Sequence, residues 1–533
     1  MPMPAVSDRR AAMALAAIMT LFLAIAPCEG GQLPQYDDVV KRRVSSEAVL
    51  LDRHGDIIHE MRIDAHGRRL AWTRLDDVSP ALIAAVLYSE DRHFHEHGGV
   101  DWKALAAAAL QNLFSGRQRG ASTITMQLAG MLEKDLTPPK GKRRSFEQKW
   151  NQVQAARKLE QTWTKSHILE AYLNLVSFRG ELQGITSAAR GIFGKEPSGL
   201  QDAESFILAA LLRSPNTAPA TAANRACTLA ASMKSADACT DIQALAEQHL
   251  AGGYRIRQQT ALAPHIAHQF LDRDHPRVRT TLDGPLQKFA VEMLSQQIRQ
   301  LSPQNVNDGA VLVADNKTGA ILAYVASAGS DASARHVDGI LARRQAGSTL
   351  KPLLYALAIE HRLLTAASLL DDSPLNLPTE TGLYVPRNYD NAFKGPVSAR
   401  LSLASSLNIP AVQTLLLVGP EAFVARLKKL GFTDLNDADY YGYALALGTV
   451  DVSLHELTNA FRTLANQGVW SPLSVEDGKR SGNTRTVMSS DAAFIVSDIL
   501  SDRSARSLTF GLENPLATRY WTAVKTGTSK DMR

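Results

Sequence analysis

The chain has 533 residues, too many for one core, and domains of ~100–200 residues put about three in it. Hydrophobic residues at 45% and charged residues at 21% exclude a disordered chain. The net charge of +5 suits an anionic lipid surface or a phosphorylated substrate, and no interleaving of aromatic and basic residues supports a nucleic-acid surface.

Arg9 and Arg10 precede the apolar run Ala11 to Pro27. At ~1.5 Å per residue this run just reaches across a bilayer core of ~30 Å. It reads as an uncleaved signal-anchor, with a cleaved signal peptide as the alternative. Both leave the arginines in the cytoplasm and export the rest. Cys28 follows the run, but Pro27 before it is a poor match to a lipidation site. Cys227 and Cys239 lie in a stretch rich in Ala and Thr; in an oxidising compartment they either pair or stay as two thiols.

Next, Glu47 to Trp72 alternates apolar and polar residues around turns at His54-Gly55 and His66-Gly67, which predicts a few short strands. A helix is expected from Ser79-Pro80, with Ser as cap, delivering Glu90 near its C-terminal end. From there to Asn216 the period is helical. The stretch from Thr217 to about Asp283 is looser, helical only in its first part. Gly309 to Ser327 predicts two strands around a turn at Asn316 to Gly319, and a mixed α/β unit follows.

"SEDRHFHEHGG", Ser89 to Gly99, holds His93, His95 and His97 beside Glu90 and Asp91. No second His or Cys cluster lies nearby to complete a metal shell, so no metal is expected. "GASTITMQLAG" from Gly120 supplies uncharged hydrogen-bonding groups suited to a sugar cleft: Ser122, Thr123, Thr125 and Gln127. With "LE" at Leu159-Glu160, "ILEAYLN" at Ile168 to Asn174 and "AARGIFGK" at Ala188 to Lys195, this region resembles the bacterial peptidoglycan glycosyltransferases.

The resemblance implies a mainly α, lysozyme-like domain with Glu90 as general base. Glu90 would deprotonate a sugar hydroxyl as it attacks the anomeric carbon of a lipid pyrophosphate donor, inverting it in one displacement. Asp91, Phe94, His97, Ser122, Thr123, Gln127, Lys149 and Gln152 form the implied substrate-binding set, with Phe94 and His97 holding the loop around Glu90. The leaving pyrophosphate needs cations from Lys, Arg or a divalent ion such as Mg; no covalently bound cofactor is implied. Two usual cationic contacts are missing, at Gly130 and Gln148, and Gln152 replaces the family's second glutamate. Lys140, Lys142, Arg143 and Arg144 either compensate or form a solvated loop. The Gln at 152 and the "DRHG" strand resemble the 1C subgroup of class A penicillin-binding proteins.

Ser348 and Lys351 are three apart at the start of an apolar helix and share a face. Ser406-Leu407-Asn408 and Lys525-Thr526-Gly527 follow in order, the last within a strand-like segment. The ordered set resembles the penicillin-recognising serine acyltransferases. It implies Ser348 as nucleophile on a D-Ala-D-Ala amide, Lys351 as its base, Ser406 as proton relay and Asn408 as orienter of substrate. Lys525, Thr526, Gly527 and Thr528 would hold the carboxylate end and one edge of the oxyanion hole. The chain stops at Arg533, which leaves the expected Lys-Thr-Gly strand with an open edge, so the expectation is either a fragment or truncated product or an impaired acyltransferase.

The expected layout is a cytoplasmic tail and anchor over 1–40, a glycosyltransferase domain with short β lead-in over 41–216, a linker over 217–285 and an α/β, β-lactamase-like transpeptidase domain over 286–533. The resemblance implies a bacterial inner-membrane, single-pass protein with periplasmic catalytic domains. Its partners would be lipid II, nascent glycan, pentapeptide stems, β-lactams and other cell-wall synthesis proteins. The rivals are a cell-wall scaffold that keeps the ligand pockets but has weak catalysis, and a serine β-lactamase or carboxypeptidase, which explains only the second half.

Overall fold

The computed structural model describes residues 33–115, 122–133, 146–252, 254, 256, 260–379, 382–476 and 483–529. The backbone divides into two compact units. The first takes in the described residues of Met1–Glu47 and Arg62–Arg257, the second those of Ala48–Met61 and Gln258–Arg533.

Both boundaries of the expected first domain therefore move. The "DRHG" hairpin belongs to the second unit, because Glu47–Leu51 pairs in parallel with Arg277–Arg279 (Val49 opposite Arg277). The Asp52 carboxylate clamps the turn, accepting from the backbone N–H of His54 at 2.8 Å and of Asp56 at 2.9 Å. The expected linker is not one. Helices Pro219–Ser232 and Cys239–Leu250 add Ala222, Ala223, Ala226, Ala230, Ile242 and Ala246 to the first unit's core. Pro219–Ser232 falls in the part read as helical, whereas Cys239–Leu250 buries only Ile242, Ala246 and Leu250, a stripe too sparse for its period to stand out. Cys227 and Cys239 are disulfide-bonded, with Cα atoms 5.0 Å apart.

The first unit is mainly helical: Pro80–Glu90, Trp102–Ser115, Ile124–Leu132, Phe146–Thr162, Lys165–Leu175 and Asp202–Leu212 precede the two helices above. Its core gathers Leu82, Val86, Phe94, Ile124, Leu128, Leu159, Tyr172 and Phe206. Ser79 sits at the N-cap of Pro80–Glu90, but its hydroxyl donates to the Leu200 carbonyl at 2.7 Å instead of accepting from the helix. Arg68–Arg69, Ser177–Arg179 and Leu182–Gln183 make a small sheet whose strands are too short for alternation to reveal.

In the second unit, Lys351–Glu360 is buried along nearly its whole length and forms the centre of the larger core. Gly284–Leu301 lays Ala290, Leu294 and Ile298 against Ala323 and Val325 of the antiparallel pair Val311–Ala314 and Ile321–Val325. The expected Lys-Thr-Gly strand is not formed. Residues 521–529 carry no strand, and among the described residues none pairs with them; Val524 N–H donates to the Leu500 carbonyl, at 3.0 Å, in a helix. Apolar alternation is a propensity, whereas a strand needs a ladder partner.

Among the described residues, no helix is long and apolar enough to cross a membrane. The Ala11 to Pro27 run and Cys28 lie outside the described residues, as do Lys140, Lys142, Arg143 and Arg144.

Candidate active sites

In the first unit, Pro80–Glu90 ends on the carboxylate of interest. Asp91, the next residue, is buried and leaves helical geometry. Its Oδ2 accepts from the Ile124 N–H at 3.0 Å and its Oδ1 pairs with His97 Nε2 at 2.9 Å. An anion thus sits at the start of Ile124–Leu132, where four backbone donors lack intrahelical partners. Thr123 caps the same helix, accepting from Met126 N–H at 3.1 Å and donating to the Gly99 carbonyl at 2.6 Å. Gly99 holds φ +90°, and a Cβ there would lie 2.8 Å from the Ala156 carbonyl oxygen. Only glycine suits both demands.

Phe94 is 1% exposed, with Lys165 Nζ 4.4 Å from its ring centroid. That ammonium also donates to the His97 carbonyl and to Glu160 Oε1, both at 2.7 Å, and Thr125 donates to the same Glu160 oxygen at 2.7 Å. So Asp91, Phe94, His97 and Thr123 form the frame around the loop. The three histidines diverge: His93 pairs with Glu96 at 2.9 Å, His95 stands edge-on to Phe94 and His97 serves Asp91. Ser122 is half-buried just before the cap.

This frame leaves Glu90 at the site's centre with its side chain 9% exposed. Gln127 Nε2 donates to Glu90 Oε2 at 3.0 Å. The other oxygen, Oε1, faces the Ser89 hydroxyl at 3.4 Å and Arg213 Nε at 3.7 Å. Arg213, from the stretch after Asp202–Leu212, is 69% exposed and was not singled out in the sequence. Lys149 is exposed on Phe146–Thr162, while Gln152, three residues on, is 1% exposed. Gln152 Nε2 donates to the Met126 carbonyl at 2.6 Å, and its Oε1 is buried without a hydrogen-bond partner among the described residues. Gly130 is buried and Gln148 half-buried. Arg213 therefore supplies a cation near Glu90 from outside the sequence motifs.

In the second unit, Ser348 lies in the tight turn Gly347–Leu350 and Lys351 opens the buried helix. Lys351 Nζ donates to the Ser406 carbonyl at 2.8 Å, the Leu407 carbonyl at 3.0 Å and Asn408 Oδ1 at 2.6 Å. Burial, with Lys525 nearby, holds its pKa well below the usual lysine value. Ser406 holds φ +60°, an uncommon state for serine; its carbonyl serves Lys351 and its hydroxyl accepts from Lys525 Nζ at 2.8 Å. Lys525 is pushed down to about 7 by burial. It also donates to the Thr526 carbonyl at 2.6 Å. Lys351, Ser406, Asn408 and Lys525 thus come together as the spacing implied.

Gly527 packs on the Ser348 turn: a Cβ there would lie 2.6 Å from Thr349 Cγ2 and 2.9 Å from the Ala346 carbonyl. The Thr528 carbonyl passes so close to Gly347 that a side chain at 347 would collide with it. Behind Asn408, its Nδ2 donates to the Arg387 carbonyl at 2.7 Å and its N–H to Asn388 Oδ1 at 2.8 Å. Asn388 Nδ2 in turn donates to both oxygens of the fully buried Asp372 at 2.8 Å. Asp372 and Asn388 escaped the sequence reading because no local motif marks them.

Two family models match the chain: the transglycosylase over residues 54–234 and the penicillin binding protein transpeptidase domain over residues 309–533. A helical glycosyl-transfer domain followed by a serine acyltransferase domain is the architecture of a bifunctional penicillin-binding protein. The chain is 33% identical to penicillin-binding protein 1C of Escherichia coli K12, over 88% of this chain and 60% of that protein. It is 30% identical to penicillin-binding protein 2D of Bacillus subtilis, over 86% and 66%. Against penicillin-binding protein 1B of Vibrio cholerae the identity is 29%, over 77% and 55%. The chain spans between just over half and two thirds of the length of these curated relatives. It belongs to the class A penicillin-binding protein family.

Proposed function

We propose that this chain is a peptidoglycan synthase of the 1C kind, polymerising lipid II in its first unit and cross-linking pentapeptide stems in its second. The observation that carries the reading is the state of Glu90. One oxygen is tied to Gln127 and the other is left beside a cationic side chain. In that geometry Glu90 Oε1 takes the proton of the acceptor hydroxyl as the new glycosidic bond forms, a role worth ~10²–10⁴-fold. Arg213 and Lys149 meet the negative charge of the lipid pyrophosphates. A divalent cation remains a proposal of substrate-borne charge. The described residues offer no group of three His, Cys, Asp or Glu to hold one, and no step here is routed through it.

In the second unit, Ser348 attacks the D-Ala-D-Ala carbonyl. Burial lowers the pKa of Lys351, so its ammonium can shed one proton, and with it one of its three donated hydrogen bonds, and the freed amine then takes the Ser348 proton. Ser406 passes a proton to the leaving amine, and Lys525 with Thr526 and Thr528 binds the substrate carboxylate. β-Lactams acylate the same serine. The apolar run Ala11 to Pro27 anchors the chain in the inner membrane, with both units in the periplasm alongside other cell-wall synthesis proteins. The Cys227–Cys239 disulfide fits that oxidising compartment.

The test is Glu90→Gln in the full chain, with lipid-linked disaccharide-pentapeptide as substrate. Glycan formation falls at least about a hundredfold; a smaller loss removes Glu90 from the role.

A further inference from the structure

Tyr172 is fully buried on Lys165–Leu175, and no step above uses it. Its hydroxyl donates to Gln127 Oε1 at 3.1 Å, while the other end of that amide, Nε2, donates to Glu90 Oε2 at 3.0 Å. The direction of this chain is forced. An ionised carboxylate only accepts, so Gln127 must turn its NH₂ toward Glu90. The amide oxygen then needs a donor, and the phenol supplies it. Burial, reinforced by the charges of Glu90 and Asp91, holds the phenol's pKa well above the usual tyrosine value, so it stays a donor throughout the working pH range. Without the phenol the amide can rotate by half a turn and present its oxygen to the carboxylate.

We propose that Tyr172 is a positioning residue for glycosyl transfer: acting through Gln127, it locks one oxygen of Glu90 and leaves the other, Oε1, as the atom that takes the acceptor's proton. The proposal rests on the reading of Glu90 as general base. It adds a direction to that site, since the face of the carboxylate toward Ser89 and Arg213 becomes the acceptor face.

The test compares Tyr172→Phe, Gln127→Leu and their double variant in the full chain. It reads kcat, KM and the pH profile of lipid-linked disaccharide-pentapeptide polymerisation. Tyr172→Phe removes one oxygen and keeps the ring that packs in the core. The expected result is a 10- to 100-fold loss of kcat, on the scale of a misplaced base, with KM changed less than about threefold. The acid limb of the profile moves to higher pH, because an amide oxygen turned toward Glu90 disfavours its charged form. The double variant is no worse than Gln127→Leu alone, since both break one link.

A Tyr172→Phe enzyme with kcat within twofold of wild type and an unmoved acid limb overturns the proposal. Additive losses in the double variant overturn it too. If Tyr172→Phe does not fold, Gln127→Leu decides alone: it cuts the same link, and an unchanged kcat and acid limb sink the idea. Glu90→Gln in the same assay separates the two levels. If it polymerises normally, the reading of the site fails; if it is inactive while Tyr172→Phe is normal, only the positioning role fails.

Discussion

Gln152→Glu installs the residue that the glycosyltransferase resemblance led one to expect at this position, yet the structure predicts that it damages the first unit. The Gln152 amide is 1% exposed and donates to the Met126 carbonyl oxygen at 2.6 Å. An ionised carboxylate cannot donate, and it would set a negative charge against that oxygen. The glutamate must therefore take a proton to keep the bond. Holding a carboxyl of reference pKa ~4.3 neutral at pH 7 costs ~2.7 pKa units at ~1.36 kcal/mol each, or about 3.7 kcal/mol. The sign follows from linkage. The variant's folded pKa lies above its unfolded one, so the folded state binds more protons and stability falls as pH rises through that window. Below about pH 4 the deficit vanishes. The assay is thermal unfolding of wild type and Gln152→Glu at several pH values, with hydrogen exchange in residues 122–133 reporting the first unit. The expected outcome is a deficit that grows from pH 4.5 to 7.5, with polymerisation no faster than wild type. A pH-independent Tm equal to wild type, or a large gain in polymerisation, would refute the reasoning.

Two further expectations concern single residues. Gly99→Ala meets both a left-handed backbone and the Ala156 carbonyl, so it should cost roughly 1–3 kcal/mol and lower polymerisation while leaving Ser348 acylation intact; a Tm within a degree of wild type contradicts this. Lys525, held at about 7 by burial, loses its charge as pH rises through that value, so binding of a carboxylate-bearing fluorescent penicillin should weaken from pH 6 to 8. Its folded pKa lies below its unfolded value, so the lysine's burial penalty is full below pH 7 and fades as pH rises toward 10.5. A flat binding profile from pH 5 to 9 would remove the Lys525 ammonium from substrate recognition.

What was legible in the sequence was local. Glu90, Ser348-x-x-Lys351, Ser406-x-Asn408 and Lys525-Thr526-Gly527 each occupy a few adjacent positions, and their spacing alone places them on one turn. The link from Tyr172 through Gln127 to Glu90 joins three helices, so no spacing could announce it. The same holds for Asp372 and Asn388 behind Asn408. Arg213 was visible as a residue but not as a neighbour of Glu90, since that depends on how Asp202–Leu212 packs. The hairpin 48–61 was legible as strands, but not its pairing, because its partner strand lies far along the chain. Residues 521–529 failed in the opposite direction, with strand propensity and no ladder.

The central proposal is that one chain holds two independent chemistries, one on Glu90 and one on Ser348. The most direct measurement takes wild type, Glu90→Gln and Ser348→Ala from one preparation. Each is assayed for glycan made from lipid-linked disaccharide-pentapeptide and for the mass of a penicilloyl adduct. The account predicts that Glu90→Gln loses glycan and keeps the adduct, while Ser348→Ala keeps glycan and loses the adduct. Glycan from Glu90→Gln at more than about a hundredth of the wild-type rate, or an adduct on Ser348→Ala, would contradict it.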